Sequence, residues 1–167
     1  MYLPRLFAVI VLGYLFGSIN NAIIITRLVK GEDIRTQGNF NAGTMNVLRT
    51  VGKPWGILVA VLDALKAALP MLISRLVWFD DLSPAAFFAV FAAGAAAIIG
   101  HWKPIYHNFK GGRSVGCSLG VYLFIVPFEF IISFLISGLF VIAFIKNVKF
   151  KFGQWVPIVF IVFTCCF

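Results

Sequence analysis

Between two long apolar runs lies a short polar, basic stretch, Gly100-His101-Trp102-Lys103-Pro104 through Phe109-Lys110-Gly111-Gly112-Arg113-Ser114, whose residue types suit phosphate binding at a membrane surface. Adjacent glycines let a backbone approach an anion closely. Lys110 and Arg113 supply charge, and a helix starting near Ser114 would turn its free N–H groups the same way. It is not a Walker A loop, because the glycine that pattern requires upstream of Gly112 is His107. The competing reading is that Gly112, Gly116 and Gly120, spaced by four, form a small-residue face for helix packing. Both can hold, with Gly111 and Gly112 in the cradle and Gly116 and Gly120 in the packing face.

A second candidate is the stretch from Asp33 to Gly52, dense in turn formers. Gly38, Asn39, Asn41, Gly43 and Asn46 tolerate unusual backbone angles and can aim several donors into one concavity. Arg35 and Arg49 can each hold a phosphate with a planar fork. On composition alone this stretch also reads as a solvated loop whose arginines set topology. His101 and His107 offer acid–base capacity or, as cations, phosphate binding. Neither has a partner at metal-ligand spacing, so no metal site is expected and no cofactor is implied.

The elements that must position these residues are membrane helices. With 61% hydrophobic and 12% charged residues in 167, the chain cannot bury its apolar surface in one soluble core. Apolar spans run over 6–25, 55–77 and 82–99. The longer run 115–145 is divided at Pro127 and Glu129 into a tight helical hairpin. Arg27, Lys30, Arg35, Arg49 and Lys53 follow the first span, Lys103, Lys110 and Arg113 follow the third, and Lys146, Lys149 and Lys151 follow the divided run. The turn between the second and third spans carries the acids Asp80 and Asp81. The positive-inside rule then places all three basic loops in the cytoplasm and the N-terminus outside.

The expected fold is therefore an all-α integral membrane protein, a polytopic bundle of about five transmembrane helices and an incomplete C-terminal one. It reads as a single membrane domain over 1–167 that lacks its C-terminal part. The excess of base, a formal +8, lies mainly on one face and would attract anionic headgroups and phosphorylated metabolites. Nucleic acid is not an expected partner, because the basic residues are scattered over short loops. Cys117, Cys165 and Cys166 lack ligand or disulfide spacing and read as packing residues. Inside the second span, Asp63 and Lys66 share a helical face. They read as a structural ion pair, or alternatively as a transport site. Asn20 and Asn21 read as interhelical hydrogen-bonding groups or walls of a polar pocket.

Taken together, Gly17-Ser18-Ile19, Asp33-Ile34-Arg35, the loop 38–52, Leu62-Asp63 with Lys66, and the segment 100–120 resemble the acyl-phosphate:glycerol-3-phosphate acyltransferases, the PlsY family of bacterial membrane enzymes. The family's first motif, Gly-Ser-Gly-Asn-x-Gly-x-Thr-Asn-x-x-Arg, falls on Gly38, Asn39, Phe40, Asn41, Gly43, Met45, Asn46 and Arg49. Asn39 replaces serine, Phe40 glycine and Met45 threonine. The second falls on Gly100, His101, Pro104 and 109–115, with Arg113 for lysine and Ser114 for glycine. The family's third motif has no counterpart before the chain ends.

The resemblance implies transfer of a fatty acyl group from acyl phosphate to the 1-hydroxyl of glycerol 3-phosphate, giving lysophosphatidic acid at the bacterial inner membrane, with cytoplasmic site loops. An activated acyl donor needs no protein nucleophile, and no triad can be assembled here. Arg49, Lys110 and Arg113 would hold phosphates, Gly111 and Gly112 would offer amides, and His101 or a substrate phosphate oxygen would accept the proton. Gly38, Asn39, Asn41, Gly43, Asn46, Gly100 and Ser114 would complete the binding surface. Membrane lipid would surround the whole. The alternatives are a non-catalytic paralogue or fragment that binds lipid phosphate, and a small-solute transporter built on Asp63 and Lys66.

Overall fold

A computed structural model describes residues 2–79 and 81–144, all of them in helices and the turns that join them. The expectations for Asp80, the lysines at 146, 149 and 151, Cys165, Cys166 and the last apolar segment lie outside these residues. The chain divides into two compact units, the first ending at Val121 and the second beginning at Tyr122. Three stretches are long and apolar enough to cross a membrane, Tyr2–Lys30, Lys53–Val77 and Pro84–His107, with two shorter apolar helices after them.

The first span is not one continuous helix as the sequence suggested. Helix α1 covers Tyr2–Ser18 and α2 covers Asn21–Lys30. Asn20 adopts extended backbone between them, and its side-chain oxygen accepts from the Ile23 amide at 3.1 Å. This is an N-cap, which offers the backbone a local alternative to continuing the helix. Gly31 closes α2 in the left-handed conformation, its amide donating to the Arg27 carbonyl.

Helix α3 is short, Thr44–Thr50, and α4 runs over Lys53–Val77. Helix α5, Pro84–Trp102, is capped by Ser83, whose hydroxyl accepts from the Ala86 amide at 3.1 Å, with Pro84 in the first turn. Small residues bring α1 and α5 together. A Cβ on Gly13 or Gly17 would fall on the backbone of Ala93 or Ala97, and one on Gly100 would fall on the Tyr14 carbonyl. Close backbone approach of this kind drives helix association where the surrounding solvent is itself apolar. Helix α6, Val115–Ile125, follows the same rule: Gly116 and Gly120 abut Asp63 and Ala64 of α4. The small-residue face expected from the spacing is thus present.

In the second unit the expected division appears at Val126. Pro127, which cannot donate to a preceding turn, opens α7 over Pro127–Phe144.

The two ends of the first unit differ in what they gather. At one end Arg5 donates to the Trp78 carbonyl at 3.3 Å and the Tyr2 hydroxyl to Asp81 at 3.2 Å, so the N-terminus sits beside the acidic turn. At the other end the two basic loops, 31–52 and 103–114, meet.

Candidate functional site

The first loop is organised around Asn46, which is 1% exposed. Its amide nitrogen lies 2.9 Å from the Gln37 carbonyl and 3.1 Å from those of Ile34 and Asn41, while its oxygen accepts from the Asn39 amide at 3.2 Å. Gly38 (φ 55°) passes so close that a Cβ would strike the Asn46 side chain. Asn46 therefore shapes the loop from within, with its hydrogen-bonding capacity spent on backbone. Asn20 ties this loop to the break in the first span, reaching the Ala42 carbonyl at 3.5 Å.

Arg35, a candidate phosphate fork, is used to join the two loops. Its guanidinium binds Asp33 through two nitrogens, at 2.7 and 3.0 Å, and donates to the carbonyls of His107 and Lys110, each at 3.1 Å. Asp33 also caps the 3-10 turn Ile34–Thr36 and bridges to Arg27 at 2.9 Å. Hydrogen bonds from Arg35, aided by Arg27, hold the Asp33 carboxyl well below the usual carboxylate range. The Asp33-x-Arg35 spacing was the available sequence signal for this pair, although nothing in the sequence named the carbonyls it reaches.

The cradle itself differs from the expected donor array. The amide of Gly111 donates to the Trp102 carbonyl at 3.2 Å and that of Gly112 to the His101 carbonyl at 3.1 Å. These are two of the carbonyls that the C-terminus of α5 leaves without helical partners. Both amides are therefore taken up by the protein. Glycine is required there for proximity: a Cβ at 111 would meet the His101 carbonyl, and one at 112 would meet the His101 ring and the Ala42 carbonyl. Gly100, as described above, serves helix packing.

His101 lies behind the cradle, 2% exposed. Its Nδ1 is 2.7 Å from the Lys66 ammonium, which also binds Asp63 at 3.0 Å and the Ile19 carbonyl at 2.5 Å. Asn21 donates to the same Asp63 oxygen at 2.9 Å. The Asp63–Lys66 pair is therefore fully engaged by neighbouring helices, as the structural reading of that pair expected.

In front of the cradle opens a cleft of about 600 Å³. Ile98, Ile99, Trp102 and Phe109 give it an apolar wall, and Lys103, Lys110 and Arg113 a cationic one; Asn41 comes from the first loop. Gly111, Gly112, Ser114 and Ser118 form the rest. Lys103, at a position where the motif prescribes no residue type, stands with its ammonium 5.1 Å from the centre of the Trp102 ring. Gly38, Asn39, Gly43, Asn46, Arg49, Gly100 and His101 do not line this cleft. Arg49 occupies the last turn of α3 and is exposed.

Among the described residues, every non-glycine residue with positive φ falls in these two loops: Phe40 (60°), Asn108 (54°), Phe109 (57°) and Ser114 (60°). Such conformations cost energy and concentrate where function demands them. Phe40 and Ser114 are the positions at which the motifs carry glycine, so this chain keeps the glycine-like backbone without the glycine. Ser114 offsets part of the cost through its hydroxyl, which donates to the Ile98 carbonyl at 2.9 Å.

A family model described as "Glycerol-3-phosphate acyltransferase" matches residues 7–167. A curated glycerol-3-phosphate acyltransferase of Mycoplasma mycoides is 40% identical over 149 residues, covering 89% of this chain and 57% of that protein. One of Anaeromyxobacter dehalogenans is 45% identical over 115 residues, covering 69% of this chain and 56% of its own length. The chain thus spans little more than half the length of these relatives. A crystal structure of PlsY (YgiH), an integral membrane glycerol 3-phosphate acyltransferase in its glycerol 3-phosphate form, aligns with a TM-score of 0.70 at 32% identity. The alignment covers 96% of this chain and 84% of that one.

Proposed function

The chain belongs to the glycerol-3-phosphate acyltransferase family, and on that premise we propose that it moves a fatty acyl group from acyl phosphate to the 1-hydroxyl of glycerol 3-phosphate. The observation that carries the reading is the two-sided cleft. Its cations, Lys103, Lys110 and Arg113, suit phosphate groups, and its apolar wall of Ile98, Ile99, Trp102 and Phe109 suits the start of an acyl chain. The related structures bear on the same chemistry, one being a glycerol 3-phosphate form and the other a lysophosphatidic acid form.

In the proposed reaction the 1-hydroxyl oxygen attacks the acyl carbon, the bond from that carbon to the bridging phosphate oxygen breaks, and inorganic phosphate leaves. The hydroxyl proton passes to a phosphate oxygen. Lys110 and Arg113 neutralise the charge of the phosphates and bring the two substrates together, which is most of what an already activated donor requires. His101 and the glycines shape the wall rather than touch the reacting atoms. Asn41 contributes a polar group from the first loop, and Arg49, which lies outside the cleft, is given the second phosphate only on its place in the motif that loop carries. The protein acts in the bacterial inner membrane with its N-terminus outside and both loops in the cytoplasm.

Purified protein supplied with acyl phosphate and glycerol 3-phosphate should release phosphate and lysophosphatidic acid together. Lys110→Ala should lower the rate by about 10- to 100-fold, the worth of one charged hydrogen bond to a phosphate. Release no faster than in that variant would remove the catalytic reading.

A further inference from the structure

Lys66 is a buried cation with all three of its hydrogens accounted for. They point to the Ile19 carbonyl at 2.5 Å, His101 Nδ1 at 2.7 Å and Asp63 Oδ1 at 3.0 Å. Lys66 is 5% exposed, and Asp63 and His101 are each 2% exposed, so water does not compete for these bonds. An ammonium group has donors only, and the imidazole nitrogen facing it must therefore accept. The alternative, in which Nδ1 carries the proton and donates to Asp63, requires a contact that the structure lacks: that separation is 3.8 Å, beyond hydrogen-bonding reach.

With Nδ1 accepting, the ring proton sits on Nε2. That nitrogen abuts Gly112, where even a Cβ would collide with it. The same residue's carbonyl receives the Gly112 amide at 3.1 Å, so ring and backbone of His101 grip the cradle from two sides. Lys66 holds the ring and, through Ile19, the break between α1 and α2.

We infer that Lys66, seated on Asp63, is a positioning residue of this site, fixing His101 as the Nε2–H tautomer against Gly112. In that state neither ring nitrogen has a free lone pair, and His101 supports the cleft wall instead of accepting a proton from the substrate. The acyl-transfer reading underlies only the kinetic half of this inference, since the tautomer is a property of the resting protein.

The chain has two histidines, so His107→Gln leaves His101 as the sole imidazole for nitrogen NMR of 15N-histidine-labelled protein in detergent. The expected spectrum shows a protonated Nε2 and an unprotonated, hydrogen-bonded Nδ1. Adding Lys66→Met should give a mixture of tautomers, whereas Lys66→Gln, which keeps a donor, should preserve the original pattern. In turnover, Lys66→Met should lower kcat by about 10- to 100-fold with KM little changed, as a displaced wall does, and Lys66→Gln should recover most of it. A protonated Nδ1 in the parent, or identical spectra for the Met and Gln variants, overturns the inference whether or not the protein turns over acyl phosphate. If the Met variant does not fold, the parent spectrum and the Gln variant decide the matter by themselves. Absent turnover with the expected spectra counts against the acyl-transfer reading and leaves the tautomer lock standing.

Discussion

Phe40 offers the sharpest test of how this chain holds its first loop. Its φ of 60° lies in the left-handed region, where an L-residue is disfavoured by roughly 1–2 kcal/mol and glycine is not. The side chain is 69% exposed, so truncation removes about a third of the burial worth of a phenylalanine, roughly 0.5–1 kcal/mol, and removes it equally for Ala and Gly. The difference between Phe40→Ala and Phe40→Gly therefore isolates the backbone. Glycine's extra freedom in the unfolded chain costs about 0.5–1 kcal/mol, leaving Phe40→Gly more stable than Phe40→Ala by about 0.5–1 kcal/mol. For a chain of this size that is a difference of about 1–4 °C in thermal midpoint, measurable by unfolding of detergent-solubilised protein. The opposite order, Ala above Gly, is what a helical or extended position gives, and it would refute the left-handed assignment and with it the claim that this loop keeps a glycine-type backbone.

Two other outcomes follow from the geometry. Gly112→Ala should abolish most activity and lower the thermal midpoint, because its Cβ would meet the His101 ring and the Ala42 carbonyl, and backbone cannot step aside as a flexible side chain can; wild-type behaviour in both assays would mean that the cradle is looser than described. Asp33→Asn should destabilise the protein by an amount that is constant at neutral pH. The folded-state carboxyl is depressed below its unfolded value near 3.9, so its contribution is fully present above that value and is lost only as pH falls towards the folded one. Thermal midpoints of the two proteins measured across pH should converge only below about 4, and convergence near pH 6 would contradict the Arg35–Asp33 arrangement.

Much of the architecture is legible in the residues themselves. Apolar runs of crossing length, the proline that opens α7 and the spacing of Gly116 and Gly120 are local properties, and the helices form where these signals place them. The break at Asn20 was also present as a signal, a capping residue inside an apolar run, but a single cap is a weaker signal than the hydropathy around it. The site was less legible. Lys110 and Arg113 line the cleft as their charge and setting suggested, and Lys103 joins them from a position at which the motif prescribes no residue type. Arg35, Asn46, Gly111 and Gly112 had the right chemistry for a ligand, yet their donors are directed to backbone carbonyls.

Sequence alone thus determined that the chain is a membrane protein, where its apolar spans run, and that most of its cations lie in the loops after the first and third spans and beyond the divided run. Hydrophobicity and charge are carried by each residue wherever it lies, so these conclusions needed no contacts. Tertiary structure decided which polar groups remain available. A hydrogen bond made to one partner is withheld from another, and whether Gly112 faces an anion or the end of α5, or whether His101 meets Lys66 or a substrate, depends on segments far apart in the chain.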